Sequence, residues 1–76
     1  MKELIEFLAR SLVDNPDDVR VEEEQDEDRV VIRLYVAAGD MGKVIGKQGR
    51  IANAMRDLLK VAAARHGTRA SLEIGD

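Results

Sequence analysis

Residues 44–51 read Val44-Ile45-Gly46-Lys47-Gln48-Gly49-Arg50-Ile51, two glycines separated by two polar residues and bracketed by aliphatic ones. This spacing fails two phosphate-binding patterns and fits a third. A P-loop needs four residues between its glycines and a Ser or Thr after the Lys. The stretch Gly42-Lys43-Val44-Ile45-Gly46-Lys47-Gln48 has three between, and Gln48 follows the Lys. A dinucleotide fingerprint needs Gly-x-Gly, which the chain lacks. What fits is Gly-x-x-Gly as the turn between two helices. Glycines without Cβ let a phosphodiester backbone come close, and the amides of the loop and of the next helix's first turn favour an anion. Most helices offset that end of their dipole with an early Asp or Glu; this one begins Arg50-Ile51-Ala52-Asn53 and meets no acid before Asp57. Lys47 and Arg50 add positive charge there, and Val44, Ile45 and Ile51 offer an aliphatic wall for bases. The competing reading is a tight turn that needs glycine for backbone reasons alone.

The flanking sequence supplies the helices and a sheet. From Met1 to Val13, Met1, Leu4, Ile5, Leu8 and Leu12 recur at three- and four-residue steps with Phe7 on the flank, which predicts an amphipathic helix. Asn15-Pro16 ends it, since a residue before proline is pushed out of helical geometry. Val19 and Val21 alternate with Arg20 and Glu22, and after Gln25-Asp26-Glu27-Asp28 the segment Arg29 to Val36 alternates more strongly. These are two strands of a hairpin, with Val30, Ile32, Leu34 and Val36 inward and Val31, Arg33 and Tyr35 outward. Gly39 closes the second strand, and Asp40 is placed to cap a short helix through Ile45. Beyond Gly49, Ile51, Ala54, Met55, Leu58, Leu59 and Ala62 form the expected buried face of a long helix, with Arg50, Asn53, Arg56 and Lys60 largely off it. Gly67 ends that helix, and Ala70, Leu72 and Ile74 alternate into a last strand. The prediction is an α+β fold in the order α-β-β-α-α-β, three helices on one face of a three-stranded sheet. It forms one domain over residues 1–76.

Composition narrows the function. There is no Cys and a single His, His66, so no zinc site of thiolates and imidazoles is available, and no disulfide. His66 reads as a surface residue in a last helical turn. The hydroxyls are few and the carboxylates of Glu22 to Asp28 read as a solvated hairpin rather than a desolvated acid–base pair; no enzyme, metal or cofactor is expected. With no apolar signal core at the start and no membrane-length apolar run, the reading is of a soluble cytoplasmic protein. The formal net charge is −3, but it is unevenly placed: residues 1–40 hold twelve acids and five bases, whereas from Lys43 to Arg69 seven bases meet the single acid Asp57. A local basic face is what an anionic partner meets. Aromatics are limited to Phe7 and Tyr35, which argues against modules that stack bases on rings.

With Gly46-Lys47-Gln48-Gly49 between two helices, this element order resembles a KH domain of type II. Its opening, Lys2-Glu3-Leu4-Ile5-Glu6-Phe7 and Ser11-Leu12-Val13-Asp14-Asn15-Pro16, together with its length of 76 residues, is similar to the small bacterial single-KH family called KhpA. The resemblance implies cytoplasmic binding of single-stranded RNA, RNA chaperoning, homodimers or pairing with a larger KH-containing partner, and links to cell elongation and the envelope. By position it implies a phosphate clamp of Gly46, Lys47, Gln48 and Gly49, with Val44, Ile45, Arg50 and Ile51 lining the cleft. The short Arg65–Arg69 connection leaves little room for a large sequence-reading loop. The second reading is a protein-interaction module whose helices and cleft form a dimer or docking surface.

Overall fold

The computed structural model describes residues 1–76. Helix α1 (Lys2–Leu12) leads through a single 3-10 turn at Pro16–Asp18 into strands β1 (Arg20–Asp26) and β2 (Arg29–Tyr35). A turn at Ala38–Asp40, helix α2 (Met41–Ile45), the Lys47–Gly49 turn, helix α3 (Arg50–Arg65) and strand β3 (Arg69–Gly75) follow. The predicted order stands. Strands β1 and β2 pair antiparallel across the two-residue turn Glu27-Asp28, where Glu27 takes a φ of 54°. Strand β3 pairs parallel with β2 on its other side, because the α2–α3 crossover returns the chain in the same direction.

The register aligns the inward side chains: Val30 with Ala70, Ile32 with Leu72, Leu34 with Ile74. Beneath them Ile5, Ala9, Val44, Met55 and Leu59 close one apolar core, each large side chain contributing about 1.5–3 kcal/mol through burial. The outer face of the sheet is polar. There Arg33 donates to Glu24 (3.2 Å) and Glu73 (3.1 Å), and the Arg20 guanidinium lies 4.4 Å over the Tyr35 ring. On β1 only Val21 is buried, and Glu22 to Asp26 are exposed. Charge along an edge strand discourages pairing with another chain.

Three local expectations are corrected. In α3 the buried stripe is Ala52, Met55, Leu59 and Ala63, whereas Ala54 and Leu58 are exposed. The helix is turned so that its small residues meet the sheet, and alanine allows the closest approach. In α1, Ile5 and Ala9 are buried, Met1, Leu4 and Leu8 half-buried, and Leu12 and Phe7 exposed. Asp40 does not cap α2 through its side chain. It is 2% exposed and accepts from the backbone N–H groups of Asp14 (3.3 Å) and Asn15 (3.0 Å) and from Asn15 Nδ2 (3.0 Å). These donors of the α1–β1 connection have no helix to serve, and they capture the carboxylate.

Candidate functional site

The turn that decided the fold sits at the junction of α2 and α3, held from below by the core. Val44 is 0% exposed, so it anchors α2 from inside, and of the three aliphatic residues only Ile45, 36% exposed, and the half-buried Ile51 offer surface. The backbone reverses through positive φ at Gly46 (76°), Gln48 (58°) and Gly49 (75°). The two glycines are required for different reasons. A Cβ on Gly46 would lie 2.6 Å from Ile51 Cγ1, so this glycine lets α2 close against α3. At Gly49 the nearest atom to such a Cβ is Asn53 Nδ2 at 3.9 Å, so that position is open and its demand is conformational.

The expectation that the loop amides stand free for an anion needs correction in part. Gly46 N–H donates to Gly42 O, Gly49 N–H to Gly46 O, and Arg50 N–H to Lys47 O. The turn closes on itself and uses those donors. At the start of α3, however, no side chain caps the helix and no acid lies in the first turn, so the positive end of its dipole meets solvent without a protein counter-charge. Lys47, Gln48 and Arg50 are exposed. Arg50 donates to Gln48 Oε1 at 3.3 Å, and neither Lys47 nor Arg50 joins any of the protein's ion pairs. Lys43 differs: its Nζ is 3.0 Å from Asp14 Oδ2. That pairing raises the Lys43 pKa, through the hydrogen bond and charge of Asp14 and against partial burial, and it removes one base from the local positive count.

None of the protein's three clefts is lined by residues 44–51. Two run instead along the groove between α3 and the free edge of β3. A 160 Å³ cleft is lined by Arg56, Leu59, Lys60, Ala70, Ser71 and Leu72. A 420 Å³ cleft continues it past Lys60 and Ala63 to Thr68, Arg69 and Arg29. Arg56 is held in the groove by donating to Asn53 Oδ1 and to Leu72 O, both at 3.4 Å. The third cleft, 170 Å³, lies at the far end of β2 and β3 beside Tyr35 and Glu73. The structure thus brings the predicted residues 45–51 together on one exposed turn, with Val44 beneath, and adds a groove the sequence reading did not assemble. The helical spacing of Arg50, Asn53, Arg56 and Lys60 is the signal for it. What was missing is the strand that faces them, since β3 becomes a neighbour of α3 only through the parallel pairing.

A helix–Gly-x-x-Gly–helix unit carried on a mixed three-stranded sheet, in the order α-β-β-α-α-β, defines a KH domain of type II. A family model described as KhpA/KhpB, KH domain, matches residues 2–74, and the chain belongs to that family. It is 53% identical over 74 residues to the RNA-binding protein KhpA of Clostridium acetobutylicum, covering 97% of this chain and 99% of the relative. To that of Halalkalibacterium halodurans it is 51% identical over 76 residues, the whole of both chains. To that of Aquifex aeolicus it is 50% identical over 74 residues, 97% and 94% of the two. No solved structure matches the chain. No helix is long and apolar enough to cross a membrane.

Proposed function

We propose that this chain, as a single KH domain over residues 1–76, binds about four nucleotides of single-stranded RNA in the cytoplasm and acts as an RNA chaperone or post-transcriptional regulator. The observation that carries this reading is the uncapped, acid-free start of α3, where Lys47 and Arg50 stand exposed and unpaired beside the Gly46–Gly49 turn. The backbone phosphates approach at Gly49, Lys47 and Arg50 neutralise them, and the first bases lie on Ile45 and Ile51 before entering the groove beside Arg56. Tyr35 stacks under Arg20 on the outer face of the sheet, so its ring is engaged away from the turn. The test is Lys47→Asp with Gln48→Asp, which puts two carboxylates where phosphate is expected at positions the core does not use. Fluorescence anisotropy with labelled single-stranded RNA should show binding abolished while circular dichroism shows the fold intact. Unchanged affinity in the folded variant would remove the clamp assignment.

A second reading is favoured by three large apolar side chains left in solvent, Phe7 at 69%, Leu58 at 49% and Val61 at 56% exposed. These suit a homodimer or docking to a larger KH-containing partner. In that reading the partner carries most of the RNA contact, and sedimentation of the isolated chain would show tight self-association without RNA binding.

A further inference from the structure

Three bases line the far end of the α3–β3 groove: Lys60 on α3, Arg69 at the start of β3 and Arg29 at the start of β2. Lys60 follows Arg50 by ten residues, which is about 15 Å along a helix, so the cluster lies well away from the Gly46–Gly49 turn. Arg29 and Arg69 stand directly opposite each other in the parallel register. Like charges so placed repel and cost stability. Asp26 faces Arg29 across the hairpin, yet none of the three bases closes an ion pair with any carboxylate. Arg69 is tied into the fold through its backbone N–H, which donates to Asp28 O at 3.2 Å, so its side chain is not needed there. A local arrangement that works against the fold without an internal gain points to a ligand. From this cluster the groove runs back along α3 as far as Arg56, since the 160 Å³ and 420 Å³ clefts share Lys60, Ala70 and Ser71. Over a floor of the buried Leu59, Ala63 and Leu72, its walls set the half-buried Ala70 and Ser71 beside the cations Arg56 and Lys60. A small anion would meet the charge at one end but leave the groove empty; a flexible polyanion follows its length and meets the spaced cations.

We propose that Arg29, Lys60 and Arg69 form a second phosphate site, which extends the RNA footprint beyond the nucleotides held at the Gly46–Gly49 turn and takes the backbone of a longer single strand. This rests on the RNA-binding reading above. It is tested by the anisotropy of labelled oligouridylates of about four and about ten nucleotides at roughly 50 mM salt, where phosphate contacts are strongest. The wild-type chain should bind the longer strand more tightly. In Lys60→Glu/Arg69→Glu the longer strand should lose about tenfold or more, falling toward the affinity of the shorter one, whose own binding stays unchanged. Arg69→Glu turns a repelling pair into an attracting one across β2 and β3, so the thermal midpoint should not fall; Lys60→Ala/Arg69→Ala should give the same pattern by neutralisation alone. Equal affinity of the wild type for both strands, an unaffected longer strand, or an equal loss for both lengths would overturn the second site. Absence of wild-type binding to either length, or short-strand binding indifferent to Lys47→Asp/Gln48→Asp, would instead strike the primary reading.

Discussion

Asp40 is a carboxylate that works by fixing two distant segments together. Burial pushes its pKa up, but the hydrogen bonds from the Asn15 side chain and from the Asp14 and Asn15 amides, helped by Lys43, outweigh this and hold it below its ordinary 3.8. A folded-state pKa that is lowered contributes stability that is complete above the unfolded value and is lost as pH falls through the folded one. The window therefore lies below about 3.8. Asp40→Asn should be less stable than the wild type at neutral pH, with the gap closing as acid protonates the native carboxylate. Urea unfolding of both proteins at neutral and strongly acidic pH would measure it, and a gap independent of pH would show that the charge is not what Asp14 and Asn15 recognise. The sequence placed Asp40 at the entrance to α2 correctly and assigned it the wrong partner. A helix cap is a local pattern, whereas its real donors are 25 and 26 residues away and become neighbours only when α1 folds back onto α2.

Helix α3 shows the same division one scale up. Its existence, its start at the glycine turn and its end at Gly67, which takes a φ of 68°, were all readable from periodicity and breakers. Its rotation was not, because Ala, Leu and Met fit several faces of a helical wheel equally well, and which face is buried depends on the sheet it meets. The structure makes a sharp distinction between adjacent leucines. Leu59→Ala should cost about 2–5 kcal/mol, as truncation of a buried leucine does, while the neighbouring Leu58→Ala should stay within about 0.5 kcal/mol. Chemical denaturation of the two variants checks the rotation directly; equal losses would place the helix face where periodicity alone puts it. The same rotation sets Arg56 and Lys60 toward β3, so the composition of the groove follows from how the helix is turned.

For the molecule as a whole, charge placement matters more than charge sum. A chain of net charge −3 still presents exposed, unpaired cations at Lys47, Arg50, Lys60 and Arg69, because the acids are gathered on the hairpin and on the α1–β1 connection. If Lys47, Arg50 and one or two neighbours neutralise phosphates, log affinity against log salt should fall with a slope of about −0.7 per contact, roughly −2 to −3 in all. Titration of a short single strand over a range of salt concentrations gives the slope directly, and a flat response would favour the interaction-module reading. The uneven charge was legible by counting along the chain. The parallel pairing of β2 with β3 was not, since alternation marks inward and outward residues without saying which strand lies beside which or in what direction.

That pairing also sets a timetable. Strands β1 and β2 are joined by two residues, whereas Thr68 reaches Asp28 across forty positions of the chain. Each doubling of a loop adds about 0.6 kcal/mol to the entropy of closing it, and contacts between remote segments form slowly. On the ribosome the hairpin and the glycine turn emerge first, while the groove waits for its second wall. On the proposed reading, a nascent chain that has yet to deliver β3 would carry the whole clamp sequence with only one wall of the groove, and recognition would wait for the last strand.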